Sequence, residues 1–252
     1  MKIDFPIPAK GMELAALWQE AFGDSLEFIE GFFCTGYSPS RCRCVTVDGK
    51  IAAGLYWLDA EFAGQRFAYI YAVAVRKSHQ GQGICRKLMA DTHDHLRLRG
   101  YGGALLVPQS EALREMYRKM GYRDCTRISE FTCDAAVEPA ALHRIDRNTY
   151  AAARREMLPA GGVLQENENI AYLETMAFFY QGEGFLLAAR RENRHLHVPE
   201  LLGDTSAAPG ILKALDCDKG TFRTPGNDIP FAMFLPLTDT VKEPEYFGIA
   251  FD

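Results

Sequence analysis

The residues from Tyr69 to Met89, YIYAVAVRKSHQGQGICRKLM, join an apolar run, a basic polar loop, two glycines one residue apart and a helical pattern. Tyr69 to Val75 is β-branched and aromatic and reads as a buried strand. From Ile84 onward, Leu88, Met89, Thr92 and Leu96 recur on one helical face. Arg76 to Gln80 and then Gly81-Gln82-Gly83 lie between strand and helix. Glycines let a backbone approach an anion closely, and the first amides of a helix point at it with the dipole behind them. Arg76, Lys77, Arg86 and Lys87 add positive charge on both sides. The chemistry open to this order of residues is the holding of a phosphorylated ligand.

Two common phosphate loops fail on the residues. A P-loop needs Gly-Lys-Ser/Thr, and Gly83 is followed by Ile84 and Cys85. A dinucleotide fingerprint needs a third glycine or alanine where Arg86 stands, and that side chain would hold helix and strand apart. The segment Gln80-Gly81-Gln82-Gly83-Ile84-Cys85, after Ala72-Val73-Ala74-Val75, instead resembles the acyl-CoA loop of the GNAT superfamily of N-acetyltransferases. That family's pattern is Gln or Arg, two residues, Gly, one residue, then Gly or Ala. Cys85 departs from it but is itself small. The resemblance implies that acetyl-CoA is the acyl donor, its pantetheine arm pairing with the backbone of Val73 and Val75 on either side of Ala74. Its pyrophosphate would rest on the amides of Gln82, Gly83, Ile84 and Cys85, with Gln80, Gly81 and Arg86 completing the cradle. No metal is expected.

A second segment, Ala104 to Tyr122, reads as a short strand to Val107, a loop, and a helix from Glu111 to Met120. Ser110 suits its N-cap, Glu111 its positive end, and Gly121 its C′ position. Met116-Tyr117-Arg118-Lys119-Met120-Gly121-Tyr122 is similar to the family's aromatic-Tyr-x-Lys-x-Gly-aromatic signature, with Met at the first position. The resemblance implies that Tyr117 protonates the departing CoA thiolate, while an amine attacks the thioester directly, so that Cys85 need not be a nucleophile. Ser110 stands where the family often has a cofactor-contacting Asn. The amine must be neutral to attack. Glu61, with Asp59 beside it, is the candidate base, and Tyr69 and Tyr71 can position a water.

These residues need elements to hold them. Met12 to Phe22 and Leu26 to Phe33 read as amphipathic helices broken at Gly23-Asp24. Arg41 to Val47 and Ile51 to Phe62 form a hairpin through Asp48-Gly49, which Tyr69 to Val75 extends into a meander. Beyond a strand at Thr126 to Cys133, Val137-Glu138-Pro139-Ala140 marks a boundary. Then come helices at Ala140 to Met157 and Glu166 to Tyr180, and strands at Gly184 to Arg190 and Leu196 to Leu202. A helix at Ala207 to Leu215 precedes strands at Gly220 to Thr224, Pro230 to Leu237 and Tyr246 to Phe251. This order echoes the first half. The expected fold is therefore α/β (α+β), with mixed, mostly antiparallel sheets, flanking helices and tandem GNAT-like lobes at 1–136 and 137–252. The second lobe has Gly203-Asp204-Thr205-Ser206 where the first has its glycines, and Asp204 would repel a pyrophosphate. It is expected to bind no CoA, to cover an apolar face of the first lobe and to shape a wall of the acceptor site. Asp252 is expected to bring a carboxylate near that site.

The chain has 252 residues, 48% of them hydrophobic, and a net charge of −5, which disfavours general nucleic-acid binding. No apolar run reaches membrane-spanning length, and the N-terminus lacks a signal-peptide core. Seven cysteines, an odd number, suit free thiols in the cytoplasm. Cys42 and Cys44 lack the His/Cys company of a metal site. The expectation is a cytoplasmic acetyl-CoA-dependent N-acetyltransferase acting on a small primary amine. A CoA-binding sensor or scaffold without catalysis, and a peptide or protein N-acetyltransferase, are the alternatives. Monomer and homodimer both remain open.

Overall fold

The structure, a computed structural model, describes residues 1–251; Asp252, expected to supply a carboxylate, lies outside the described residues. The chain forms two compact units. Met1–Leu106, Ser110–Arg123 and Phe234–Lys242 make the first. Val107–Gln109, Asp124–Met233 and the segment from Glu243 make the second.

The first unit opens with strand β1 (Lys2–Asp4) and helices α1 (Gly11–Phe22) and α2 (Leu26–Thr35). Gly23, in the left-handed region at φ 76°, ends α1 with its N–H on the Gln19 carbonyl, and the Ser25 hydroxyl caps α2. Strands β2 (Cys42–Val47), β3 (Lys50–Phe62) and β4 (Gln65–Val75) follow. Asp48 and Gly49, both at positive φ, close the β2–β3 hairpin. Helix α3 (Ile84–Leu98), strand β5 (Gly103–Leu106), helix α4 (Glu111–Arg118) and strand β6 (Arg123–Asp124) complete the run. The sheet order is β1-β2-β3-β4-β5, then a strand at Met233–Pro236, then β6. Pairing is antiparallel from β1 to β4 and parallel between β4 and β5, across α3.

Alternation sorts the two faces of this sheet. Tyr56 and Tyr71 meet Trp18 of α1 at ring-centroid distances of 5.5 and 5.3 Å, with Phe32 of α2 packed on both. Their neighbour Trp57 turns the other way and meets His95 of α3 at 5.9 Å. Leu88, Met89, Thr92, His93 and Leu96 bury the facing stripe of α3.

The second unit repeats this order. Strands β7 (Arg127–Asp134) and β8 (Leu142–Ile145) lead to helices α5 (Arg147–Met157) and α6 (Glu168–Glu174). A meander of β9 (Phe178–Gly182), β10 (Phe185–Glu192) and β11 (His195–Gly203) leads to α7 (Ala208–Ala214), β12 (Lys219–Pro225) and β13 (Ile229–Pro230). The order is β13-β7-β12-β11-β10-β9-β8, with β11 and β12 parallel across α7. The strand at Met233–Pro236, β14, follows β13 in the chain but pairs in the first sheet. Each sheet has its parallel pair flanked by a strand on the far side, β14 beside β5 and β7 beside β12.

Four elements differ from expectation, and the first is the strand expected at Pro230 to Leu237, which is split into β13 and β14 in different sheets. The helix expected from Ala140 starts at Arg147, because Asp146 accepts the amides of Asn148 and Thr149 at 2.8 and 3.0 Å, and Leu142–Ile145 pairs with β9. The helix expected to reach Tyr180 stops at Glu174, since Phe178-Phe179-Tyr180 pairs with β10. Tyr246 to Phe251 is no strand. Gln165 replaces a neighbouring strand there, its amide nitrogen donating to the Ile249 carbonyl at 2.6 Å and its amide oxygen accepting the Ile249 N–H at 3.0 Å. Beside it, Glu200 of β11 is buried and accepts from Tyr150, Tyr246 and twice from Arg154, at 2.7 to 3.0 Å.

Candidate acyl-CoA site in the first unit

The β3–β4 register breaks between Tyr56–Tyr71 and Gly54–Ala74, so Ala72 and Val73 bulge from the ladder. Ala72 sits at φ 47°, a strained conformation for a residue with a Cβ. On its other side β4 pairs with β5 only from Phe67–Gly103 to Tyr69–Leu105. Past Tyr69 the two parallel strands part, leaving the Val73–Val75 edge of β4 without a β5 partner. An extended chain carrying amides can pair there.

The loop that follows is held from α1. Glu20 accepts the Lys77 amide at 2.9 Å and the Arg76 guanidinium at 2.7 Å, and these bonds hold its carboxyl below the usual range. Arg76 also donates to the Ile51 carbonyl at 2.7 Å. Arg76 is thus a strut, and the charge left to face a ligand is that of Lys77, Arg86 and Lys87, which form no ion pair among the described residues. The Gln80 side chain donates to the Val75 carbonyl at 3.2 Å, and that of Gln82 to the Ser78 carbonyl at 3.4 Å.

Gly81 and Gly83 lie at φ 75° and 72°, and a Cβ on either would meet nothing within 4 Å. Their left-handed conformation, not crowding, is what favours glycine there. Gly83 is the N-cap of α3 and offers no side chain to the amides of Ile84, Cys85 and Arg86, whereas Ser25, Ser110 and Asp146 cap α2, α4 and α5. The uncapped amides, the exposed loop and the unpaired β4 edge fit the pyrophosphate and pantetheine of an acyl-CoA.

Tyr117 of α4 is buried, and its hydroxyl makes no hydrogen bond among the described residues. Burial, with the nearby Cys85 thiol adding to it, pushes its phenol well above the ordinary range. Burial likewise raises the Cys85 thiol, so neither group ionises near neutral pH. Tyr117 packs edge-on against Tyr122 at 5.8 Å, and Tyr122 is fixed by a 2.8 Å hydrogen bond to His93 of α3. Ser110 caps α4 by accepting the Leu113 amide at 3.3 Å. Gly121 follows at φ 94°.

The structure thus brings together Val73, Ala74, Val75, Gln80, Gly81, Gln82, Gly83, Ile84, Cys85 and Arg86, with Tyr117 beside Cys85. It does not bring Glu61 to them. Glu61 pairs with Arg66 at the hairpin tip, and the seven steps from Arg66 to Val73 span about 23 Å of strand. Asp59 is engaged too, accepting from the Tyr101 hydroxyl at 2.5 Å and lying 3.3 Å from Arg66. Sequence reasoning missed Glu20 and the bulge at Ala72. Helical periodicity gives no sign of what an exposed-face glutamate will clamp, and alanine gives none of a positive φ.

The corresponding place in the second unit is built differently. β11 keeps the bulge, at Val198 and Pro199 between Ala188–Glu200 and Arg190–His197. Its pairing with β12, however, continues to Val198–Phe222, and the Thr224 hydroxyl donates to the Leu201 carbonyl beyond, at 2.9 Å. Asp204 caps the following turn by accepting the Ser206 amide at 2.9 Å, and Pro209 occupies the first turn of α7.

Residues 10–125 match the family model described as an acetyltransferase (GNAT) domain. No curated protein sequence matches the chain. Among solved structures, a GCN5-related N-acetyltransferase from Kribbella flavida is similar at TM-score 0.71 and 18% identity, over 94% of this chain and 72% of that one. A probable N-acyltransferase from Enterococcus faecalis V583 aligns at TM-score 0.74 and 16% identity, with the same coverage. A tandem GNAT protein from the clavulanic acid biosynthesis pathway aligns at TM-score 0.58 and 10% identity, over 95% of this chain and 100% of its own. At these identities the likeness is one of fold. Among the described residues, no helix is long and apolar enough to cross a membrane.

Proposed function

We propose that this chain, whose residues 10–125 match the GNAT acetyltransferase domain, is an acetyltransferase of that superfamily and transfers an acetyl group from acetyl-CoA to a primary amine of a small-molecule acceptor. The observation that carries the reading is the pairing of uncapped α3 amides behind Gly81 and Gly83 with the buried, protonated Tyr117 phenol beside Cys85. Acetyl-CoA supplies the activated acyl group. The amides of Gln82 to Cys85 hold its pyrophosphate, and the β4 edge at Val73 and Val75 holds its pantetheine arm. Tyr117 gives its proton to the sulfur as the carbon–sulfur bond breaks, and the new carbon–nitrogen bond forms by direct attack of the amine. Glu61 stands too far along the hairpin to take the amine's proton. We assign that step to water positioned by Tyr69 and Tyr71, whose rings lie 5.8 Å apart.

We further propose one cofactor site per chain. The continued β11–β12 pairing, the Asp204 cap and Pro209 all work against a second site. The seven free thiols support a reducing, cytoplasmic setting. A screen of primary amines with acetyl-CoA, reading thiol release, tests the activity. At least one amine should give turnover well above acetyl-CoA hydrolysis. Acetyl-CoA binding without turnover on any amine would favour the alternative of a CoA-binding sensor.

A further inference from the structure

The second unit contains a pocket of about 110 Å³. It lies on the sheet face away from α7, because Leu187, Ala189, Leu196 and Phe222, which alternate with its polar lining, belong to the core cluster that α7 covers. Its apolar side comes from Leu173, Met176 and Ala177 at the end of α6, from Pro199 in the β11 bulge, and from Ala250. Its polar side comes from Arg190, His197, Thr221, Arg223 and Glu130. The strand register sets these in two rows, Arg190 beside His197 beside Thr221, and Arg223 opposite Glu130.

The charges in these rows do not cancel. Glu130 stands across from Arg223, whose guanidinium also lies over the Phe231 ring, 4.8 Å from its centroid. Thr221 shares a 3.0 Å hydrogen bond with His195, and His197 lies 3.4 Å from Glu192. Arg190 makes no hydrogen bond or ion pair among the described residues. Burial, then His195 and Arg190, hold the His197 pKa below its ordinary value, so at neutral pH this ring adds hydrogen-bonding capacity and no charge. Among the described lining residues, two arginines and one glutamate leave one net positive charge above an apolar wall. A concave site of this make-up, mostly apolar with a few convergent polar groups, suits a small ligand.

We propose that the second unit binds a short apolar monocarboxylate in this pocket. Arg190 takes the carboxylate, in the planar two-point manner open to a guanidinium, and Met176, Ala177 and Pro199 take the tail. Among the described lining residues a phosphate would find a single net positive charge and no helix amides. A cationic amine would face Arg190. The pocket borders the β11 bulge, the counterpart of the β4 bulge in the first unit. The inference does not depend on the acyltransfer reading.

Full-length protein labelled with methyl-¹³C methionine provides the test, with the Met176 signal identified by Met176→Leu. The probes are isovalerate, its neutral isostere isovaleramide, and inorganic phosphate. Isovalerate should shift the Met176 methyl saturably, isovaleramide about tenfold more weakly, and phosphate not at all. Arg190→Gln should weaken isovalerate about tenfold with the circular dichroism spectrum unchanged. The inference is overturned if isovalerate gives no saturable Met176 shift, if isovaleramide or phosphate matches it, or if Arg190→Gln binds as well as the parent. The comparison of the three probes uses the parent protein alone, so it stands even if a variant misfolds.

Discussion

Tyr117 keeps its proton far into the alkaline range because burial, and next the Cys85 thiol, oppose its ionisation. Tyr117→Phe removes the proposed acid and leaves the loop intact. Turnover should fall by about 100-fold while acetyl-CoA affinity stays within about twofold, as read by steady-state kinetics beside calorimetry. Any alkaline fall in rate below about pH 10 should persist in the variant, since it cannot arise from this phenol. His93 shows the opposite sign of burial. Its pKa falls from 6.5 to about 4, so the unfolded chain takes up a proton that the folded chain refuses. The contribution of neutral His93 is complete above pH 6.5 and is lost as pH falls toward 4. Urea unfolding should show about 2 kcal/mol of destabilisation from this group between pH 6.5 and about 5. His93→Gln should flatten the profile there, and an unchanged profile would remove His93 as its source.

At the scale of elements, the start of α3 depends on two left-handed glycines with empty space around them. Gly83→Ala meets no neighbour, so its folding cost is the conformational strain alone, about 1 kcal/mol by thermal melting. Its methyl group would occupy the open space where we propose the pyrophosphate sits, and acetyl-CoA affinity should drop about tenfold or more. An unchanged affinity would place the pyrophosphate elsewhere. In the second unit, α5 is tied to β11 through Arg154 and Glu200, both 1% exposed. Glu200→Gln strands a buried guanidinium and should cost about 3 to 5 kcal/mol, much of it recovered when Arg154→Met is added. The strand–glycine–helix order around Gly81 and the capping of α4 by Ser110 were legible in the sequence, because periodicity and cap residues act locally. Asp146 and the Phe178–Tyr180 strand were misread. An apolar run of that length suits either helix or strand until its β10 partner is known. Glu20 and Ala72 were invisible for the same reason: their roles are set by what lies across the sheet.

At the scale of the whole molecule, two units repeat one order of elements, and our proposal gives an acyl-CoA site to the first alone. In the first, β4 and β5 part after Tyr69 beside uncapped amides. In the second, β11 and β12 stay paired as far as Val198 at the bulge, and Asp204 occupies the turn before the helix. The repeated order was legible from the succession of helices and strands. The placing of β14 between β5 and β6 was not, because that strand pairs far from its neighbours in the chain. Calorimetric titration of the intact chain with acetyl-CoA tests the central claim most directly. The account predicts one binding event per chain, weakened by Gly83→Ala and unchanged by Asp204→Asn. Two events per chain, or one that survives Gly83→Ala and shifts with Asp204→Asn, would contradict it, as would no binding at all.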